Sequence, residues 1–194
     1  MLTATIKIIE NTGDKMNSTI TFGREINHGP LFRSILISAI LGIASSFANN
    51  KIGITIFLII LFVMLFIYYP SYLPLLYGYW ILEKHGITYY DMSSYRAKLK
   101  LIFLAKQSKL QFISYSQIHN FTVKTENKTY SVEDITTLNN TKQSHFVWLR
   151  KPLNLEIQLK SHNINLDMSF DQLHDNKNIQ ARVMNVSNIL EEKI

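Results

Sequence analysis

From Met92 to Thr125 the chain carries Arg96, Lys98, Lys100, Lys106, Lys109 and Lys124 and no acidic residue. Within this stretch Tyr95-Arg-Ala-Lys-Leu-Lys-Leu101 alternates strictly. Read as a strand, it sends Tyr95, Ala97, Leu99 and Leu101 to one face and Arg96, Lys98 and Lys100 to the other. Such a row of cations suits an anionic surface, because each basic residue near a negatively charged leaflet contributes about 1 kcal/mol. Arg96, Lys98, Lys100, Lys106 and Lys109 are therefore the candidate lipid- or partner-binding residues, and the competing reading is an ordinary solvated strand face. Nucleic acid is not an expected partner, since no helix-turn-helix or RNP-type segment accompanies the patch.

The other reactive side chains form no constellation. Histidines at 28, 85, 119, 145, 162 and 174 lack metal-ligand spacing. Asp167, Asp171, His174 and Asp175 are close in sequence, but a polar loop leading into a helix accounts for them. Cysteine is absent, which removes thiolate chemistry and disulfides. There is no G-x-S-x-G, no phosphate-binding glycine loop and no carboxylate pair on an apolar segment. No catalytic residue, cofactor or metal is expected, and the chain reads as a non-enzyme.

The elements that must position the basic residues begin with two oily runs. Between Ser34 and Leu82 the only charged residue is Lys51, and it divides spans expected at about 31–48 and 52–69. Each just meets the roughly 17–25 residues needed to cross a bilayer. Asn49, Asn50 and Gly53 make Lys51 part of a polar turn, so the two spans form a helical hairpin. Ser34, Ser38, Gly42 and Ser46 recur every four residues and form a small-residue face for helix packing, within the hairpin or between copies. Pro70 and Pro74 are expected to end the second span, with 70–78 as an interfacial linker rich in Tyr. Residues 1–30 read as a separate segment in which 2–22 form a β-hairpin.

From about Tyr79 the period changes to two. Strands are expected at Trp80–Glu83, Ile87–Tyr90, Tyr95–Leu104, Leu110–Tyr115, Ile118–Lys124, Phe146–Leu149, Leu153–Lys160 and Ile164–Phe170. A polar loop occupies about 125–143. Ile179, Val183, Val186 and Leu190 then recur at helical spacing within Asn178–Lys193. The fold class expected is a membrane α-helical hairpin plus an all-β barrel or sandwich over 79–194, capped by a C-terminal amphipathic helix, α+β overall.

This order resembles bacterial membrane proteins with two transmembrane helices and a pleckstrin-homology-like (PH-like) domain, the YcxB-like group. The resemblance rests on the paired spans, on Trp80-Ile-Leu-Glu-Lys-His-Gly-Ile87, and on Phe112-Ile-Ser-Tyr-Ser-Gln-Ile118. It rests also on Leu155–Leu159 with Ile164–Asp167 and on the final helix. It covers about 31–194 and implies a PH-like fold and a binding role, without catalytic residues.

Arg24, Arg33 and Lys84 flank the spans on one side and Lys51 alone lies on the other, which favours cytoplasmic termini in the cell membrane. The leading expectation is a non-enzymatic bacterial membrane protein whose cytoplasmic domain binds anionic lipid headgroups or a protein partner, in a stress-response or peptide-immunity setting. The first rival is a self-assembling structural or pore-forming homo-oligomer joined through the Ser34/Ser38/Gly42/Ser46 face. A membrane-associated enzyme ranks last, because the spans offer hydroxyls and no partner base.

Overall fold

The computed structural model describes residues 19–131, 134–135 and 142–194. The first arm of the expected N-terminal hairpin lies outside those residues. Its second arm is β1 (Ile20–Phe22), which pairs antiparallel with the strand that follows the apolar helices.

Helix α1 (Gly29–Ser46) starts with Pro30 in its first turn, where the missing amide costs nothing. Helix α2 runs from Asn50 to Tyr77, and the Asn49 side chain caps it by accepting from the Lys51 amide. Lys51 thus lies in the first turn of α2, just after the Phe47–Asn49 connection. Both helices are long and apolar enough to cross a membrane, and only 22% and 17% of their apolar stretches are buried within the protein.

Pro70 and Pro74 do not end α2, contrary to expectation; it stops at Gly78. A wide π-type turn, Met64–Tyr68, precedes Pro70, and there the Tyr69 amide reaches back to the Met64 carbonyl. Such a turn has already left the regular hydrogen-bond ladder, so a proline just after it disrupts less than one in mid-helix.

Among the described residues, eight strands form two antiparallel four-stranded sheets. The first has the order β1, β2 (Trp80–Glu83), β3 (Gly86–Tyr89), β4 (Gln111–Ser114). The second has the order β6 (Thr129–Tyr130), β5 (Ile118–Thr125), β7 (Leu153–Leu159), β8 (Asn163–Asp167). The sheets do not close into a barrel. Their shared core includes Phe22, Trp80, Ile87, Val123, Ile157 and Leu166. Phe22 stacks on Trp80 at 4.4 Å, which ties β1 to the sheet through side chains as well as backbone.

Two expected strands are not strands. Tyr95–Phe103 is helix α3, followed by the 3₁₀ turn Ala105–Gln107. Val147–Leu149 is a 3₁₀ turn. After β8 come the short helix α4 (Ser169–His174) and the terminal helix α5 (Ile179–Lys193). The expected stripe of α5 is buried at Ile179, Val183, Val186 and Leu190, each worth roughly 1.5–3 kcal/mol of removed apolar surface.

A second core joins the oily hairpin to the sheets. Leu65, Tyr69, Leu73 and Tyr77 of α2 pack with Tyr90 and with Leu101, Ile102 and Ala105 from α3 and its following turn. The end of α2 is therefore packed into the β-rich region of the molecule.

Candidate functional site

The basic residues sit on α3, and local chemistry explains why it is a helix. Asp91 Oδ1 accepts from the Ser93 amide and hydroxyl, turning the chain. Ser94 then caps the helix by accepting from the Ala97 amide at 3.1 Å. Arg, Ala, Lys and Leu, which fill the segment, all favour helix. Its apolar positions also fit a helix, because Ala97, Leu101 and Ala105 lie four apart with Ile102 beside them. Leu101, Ile102 and Ala105 are buried.

A helix redistributes the cations. Arg96 and Lys100, four apart, share the exposed face with Phe103. Lys98 lies on the opposite side, half-buried at the end of the apolar stripe. Lys109 is exposed beyond the 3₁₀ turn that contains Lys106 in its backbone. The expected row of Arg96, Lys98 and Lys100 on one strand face is thereby corrected to an exposed pair and a flanking lysine. Among the described residues, none of Arg96, Lys98, Lys100 and Lys109 forms an ion pair.

Helix α3 is pinned to α2 at one height. Pro70 has no amide to give the Phe66 carbonyl four residues earlier, and the Tyr95 hydroxyl donates to that oxygen instead, at 2.8 Å. The Phe103 ring contacts the Phe66 ring at 5.9 Å, and Phe66 stacks on Phe62 at 4.9 Å. Both ends of α3 therefore reach the same level of the apolar helix.

The small-residue face lies against α2 in the same chain. Ser34 and Ser38 are fully buried and Gly42 is buried, while Ser46 is partly covered. A methyl group on Gly42 would stand 2.8 Å from Phe57 Cβ, and one on Gly53 2.6 Å from Ser46 Cβ. Close approach of the two backbones thus depends on both glycines.

The segment expected as the strand Phe146–Leu149 packs, as a loop, on the same end of α2. The turn Val147–Leu149 contacts the Tyr69–Tyr77 stretch, with Val147 buried beneath it. Arg150 secures the loop by donating to the carbonyls of Leu75 at 3.0 Å, Ser144 at 3.1 Å and His145 at 3.3 Å. Leu75 O is a C-terminal carbonyl of α2, where a cation is favoured. Burial lowers the Arg150 pKa, opposed by the nearby Asp167 and Tyr68. The readable signal was Phe146-Val-Trp-Leu-Arg-Lys151, three large apolar residues running into two cations.

A cleft of about 500 Å³ opens along the unclosed seam of the sheets, between Trp80 and Tyr89 on one side and Asn163 and Asn165 on the other. Asp167 lies at its floor. Both of its oxygens are held by Ser169, through the amide at 2.9 Å and the hydroxyl at 3.2 Å. Asp171 and Asp175 face Arg182 at 2.9 and 3.7 Å, and His174 Nδ1 is 2.8 Å from the Phe170 carbonyl. The acidic cluster around α4 is thus engaged in holding local structure. Among the described residues, no three His, Asp or Glu side chains converge as a metal site.

No family model matches the chain, and neither the curated proteins nor the solved structures contain a match.

Proposed function

We propose that the chain is a non-enzymatic membrane protein, anchored by the α1–α2 hairpin, whose β-rich region rests on an anionic leaflet through α3. The observation that carries this reading is the height at which α3 is attached. Arg33 near the start of α1 meets Tyr69 of α2, marking one edge of the oily zone. Lys51 marks the other, and the 18-residue rise from Lys51 to Tyr69 spans about 27 Å, close to a hydrocarbon core of ~30 Å. Phe66, where α3 docks, lies one turn inside the Tyr69 edge. An amphipathic helix held at that level, with Arg96 and Lys100 outward and Lys106 and Lys109 following, suits phosphate headgroups.

The two antiparallel sheets and the closing helix α5 support a PH-like reading of the binding region. A cytoplasmic placement follows from the positive-inside bias, with Arg24, Arg33 and Lys84 on that side. The small-residue face is occupied by α2, which favours an anchor over an assembly built on that face.

The full chain is the proper test object, because Phe22 and Tyr69–Tyr77 are built into its cores. A polarity-sensitive dye on a single cysteine at Gln107, in vesicles, should shift to the blue when anionic lipid replaces neutral lipid. Reversing Arg96, Lys98 and Lys100 to Glu, or raising the salt, should abolish the shift. Identical spectra in neutral and anionic vesicles would discard the headgroup role and leave the anchor standing.

A further inference from the structure

Phe146, Trp148 and Leu149 are 59%, 55% and 61% exposed, although each is large and apolar. They flank Val147, which is buried, so the turn is well seated while its neighbours project outward. The Phe146 and Trp148 rings lie 5.0 Å apart at 31°, forming one small slab. The loop continues into Arg150 and Lys151, and Lys142 lies exposed shortly before it. Apolar aromatics beside cations match the layered chemistry of a membrane interface, with rings among the upper acyl chains and cations among phosphates.

Its position fits the same occupant. The turn packs on the Tyr69–Tyr77 stretch of α2, and Arg150 lies near Tyr68. Tyr68 adjoins the Tyr69–Arg33 edge of the oily hairpin. The slab thus lies at the same end of α2 as that edge, on a second element besides α3.

We propose that the Phe146–Leu149 loop inserts into the phospholipid interface of the leaflet nearest the β-rich region, with Trp148 as its main anchor. This rests on the membrane reading of α1 and α2. Loop and α3 together hold the β-rich region at a pair of footholds besides the hairpin, which fixes its rotation about the axis of α2. Charged headgroups hold α3, whereas apolar insertion holds this loop, so salt weakens the first contact and spares the second.

Trp148 and the buried Trp80 are the only two tryptophans. The full chain and its Trp148→Phe variant, reconstituted in vesicles, give the emission of Trp148 by difference. A third chain, Trp148→Phe with Ile59→Trp, reports on the exposed middle of α2. The vesicles contain phosphatidylcholine brominated either near the headgroup end or near the tail end of its chains. Trp148 should emit to the blue of indole in water, persist so in high salt, and lose more emission to shallow than to deep bromines. The Ile59→Trp probe should show the reverse order. Unquenched Trp148 beside a deeply quenched Ile59→Trp overturns the loop insertion alone, whether Trp148 then lies in water or under another protein. An unquenched Ile59→Trp overturns the membrane reading and the insertion with it.

Discussion

Asp167 shows how one residue ties stability to pH. Burial pushes its carboxyl from 3.8 up to about 7, against the opposing hydrogen bonds from Ser169 and the charge of Arg150. Between those values the folded chain keeps a proton that the unfolded chain has released. The stabilisation is full below pH 3.8 and is lost as pH rises through about 7. Asp167→Asn keeps an acceptor for the Ser169 amide and cannot ionise, so the variant should lack that share of the decline. Unfolding temperatures of both proteins across this window check it, and parallel curves would refute the assignment. The small residues of α1 were readable in sequence because spacing by four has one meaning on a helix. The Tyr95 hydroxyl was not, because its partner is a carbonyl freed by a proline 25 positions earlier.

At the scale of elements, α3 explains the largest misreading. Tyr95–Leu101 alternates in twos, yet Ala97, Leu101 and Ala105 also recur in fours, and a short segment satisfies both periods. The Ser94 cap and the helix-forming composition decide between them. The hairpin β2–β3, the paired strands β7 and β8 and helix α5 were legible, since each has turn signals or a long stripe. Strand β1 depends on a distant clamp instead. Arg182 donates to the Thr21 carbonyl at 2.6 Å, pairs with Asp171, and lies 4.3 Å over the Phe22 ring, while Asp171 also accepts from the Gly23 amide. Arg182→Ala should cost about 2 kcal/mol, less than for a fully buried pair because water reaches this one. Amide exchange at Thr21 and Phe22 should quicken more than at Leu166. Arg182→Lys should restore only some of the protection, lacking the planar fork.

For the whole molecule, the proposed orientation is open to a direct check because the chain has no cysteine of its own. On the proposed topology, single cysteines at Asn50, beside the hairpin turn, and at Ser161, in the exposed turn between β7 and β8, lie on opposite sides of the bilayer. An impermeant thiol reagent on intact cells should label the first and spare the second, and the converse pattern would invert the topology. The passage of α2 from the oily pair into the second core, with no flexible tether at Pro70, has a mechanical consequence. On the proposed anchoring, such a helix is a continuous strut shared by lipid and protein. A thicker or thinner bilayer, which changes the tilt of a spanning helix, must lean the attached sheets as well. On the proposed anchoring, the direction in which the seam above Asp167 opens is thereby geared to the thickness of the membrane beneath.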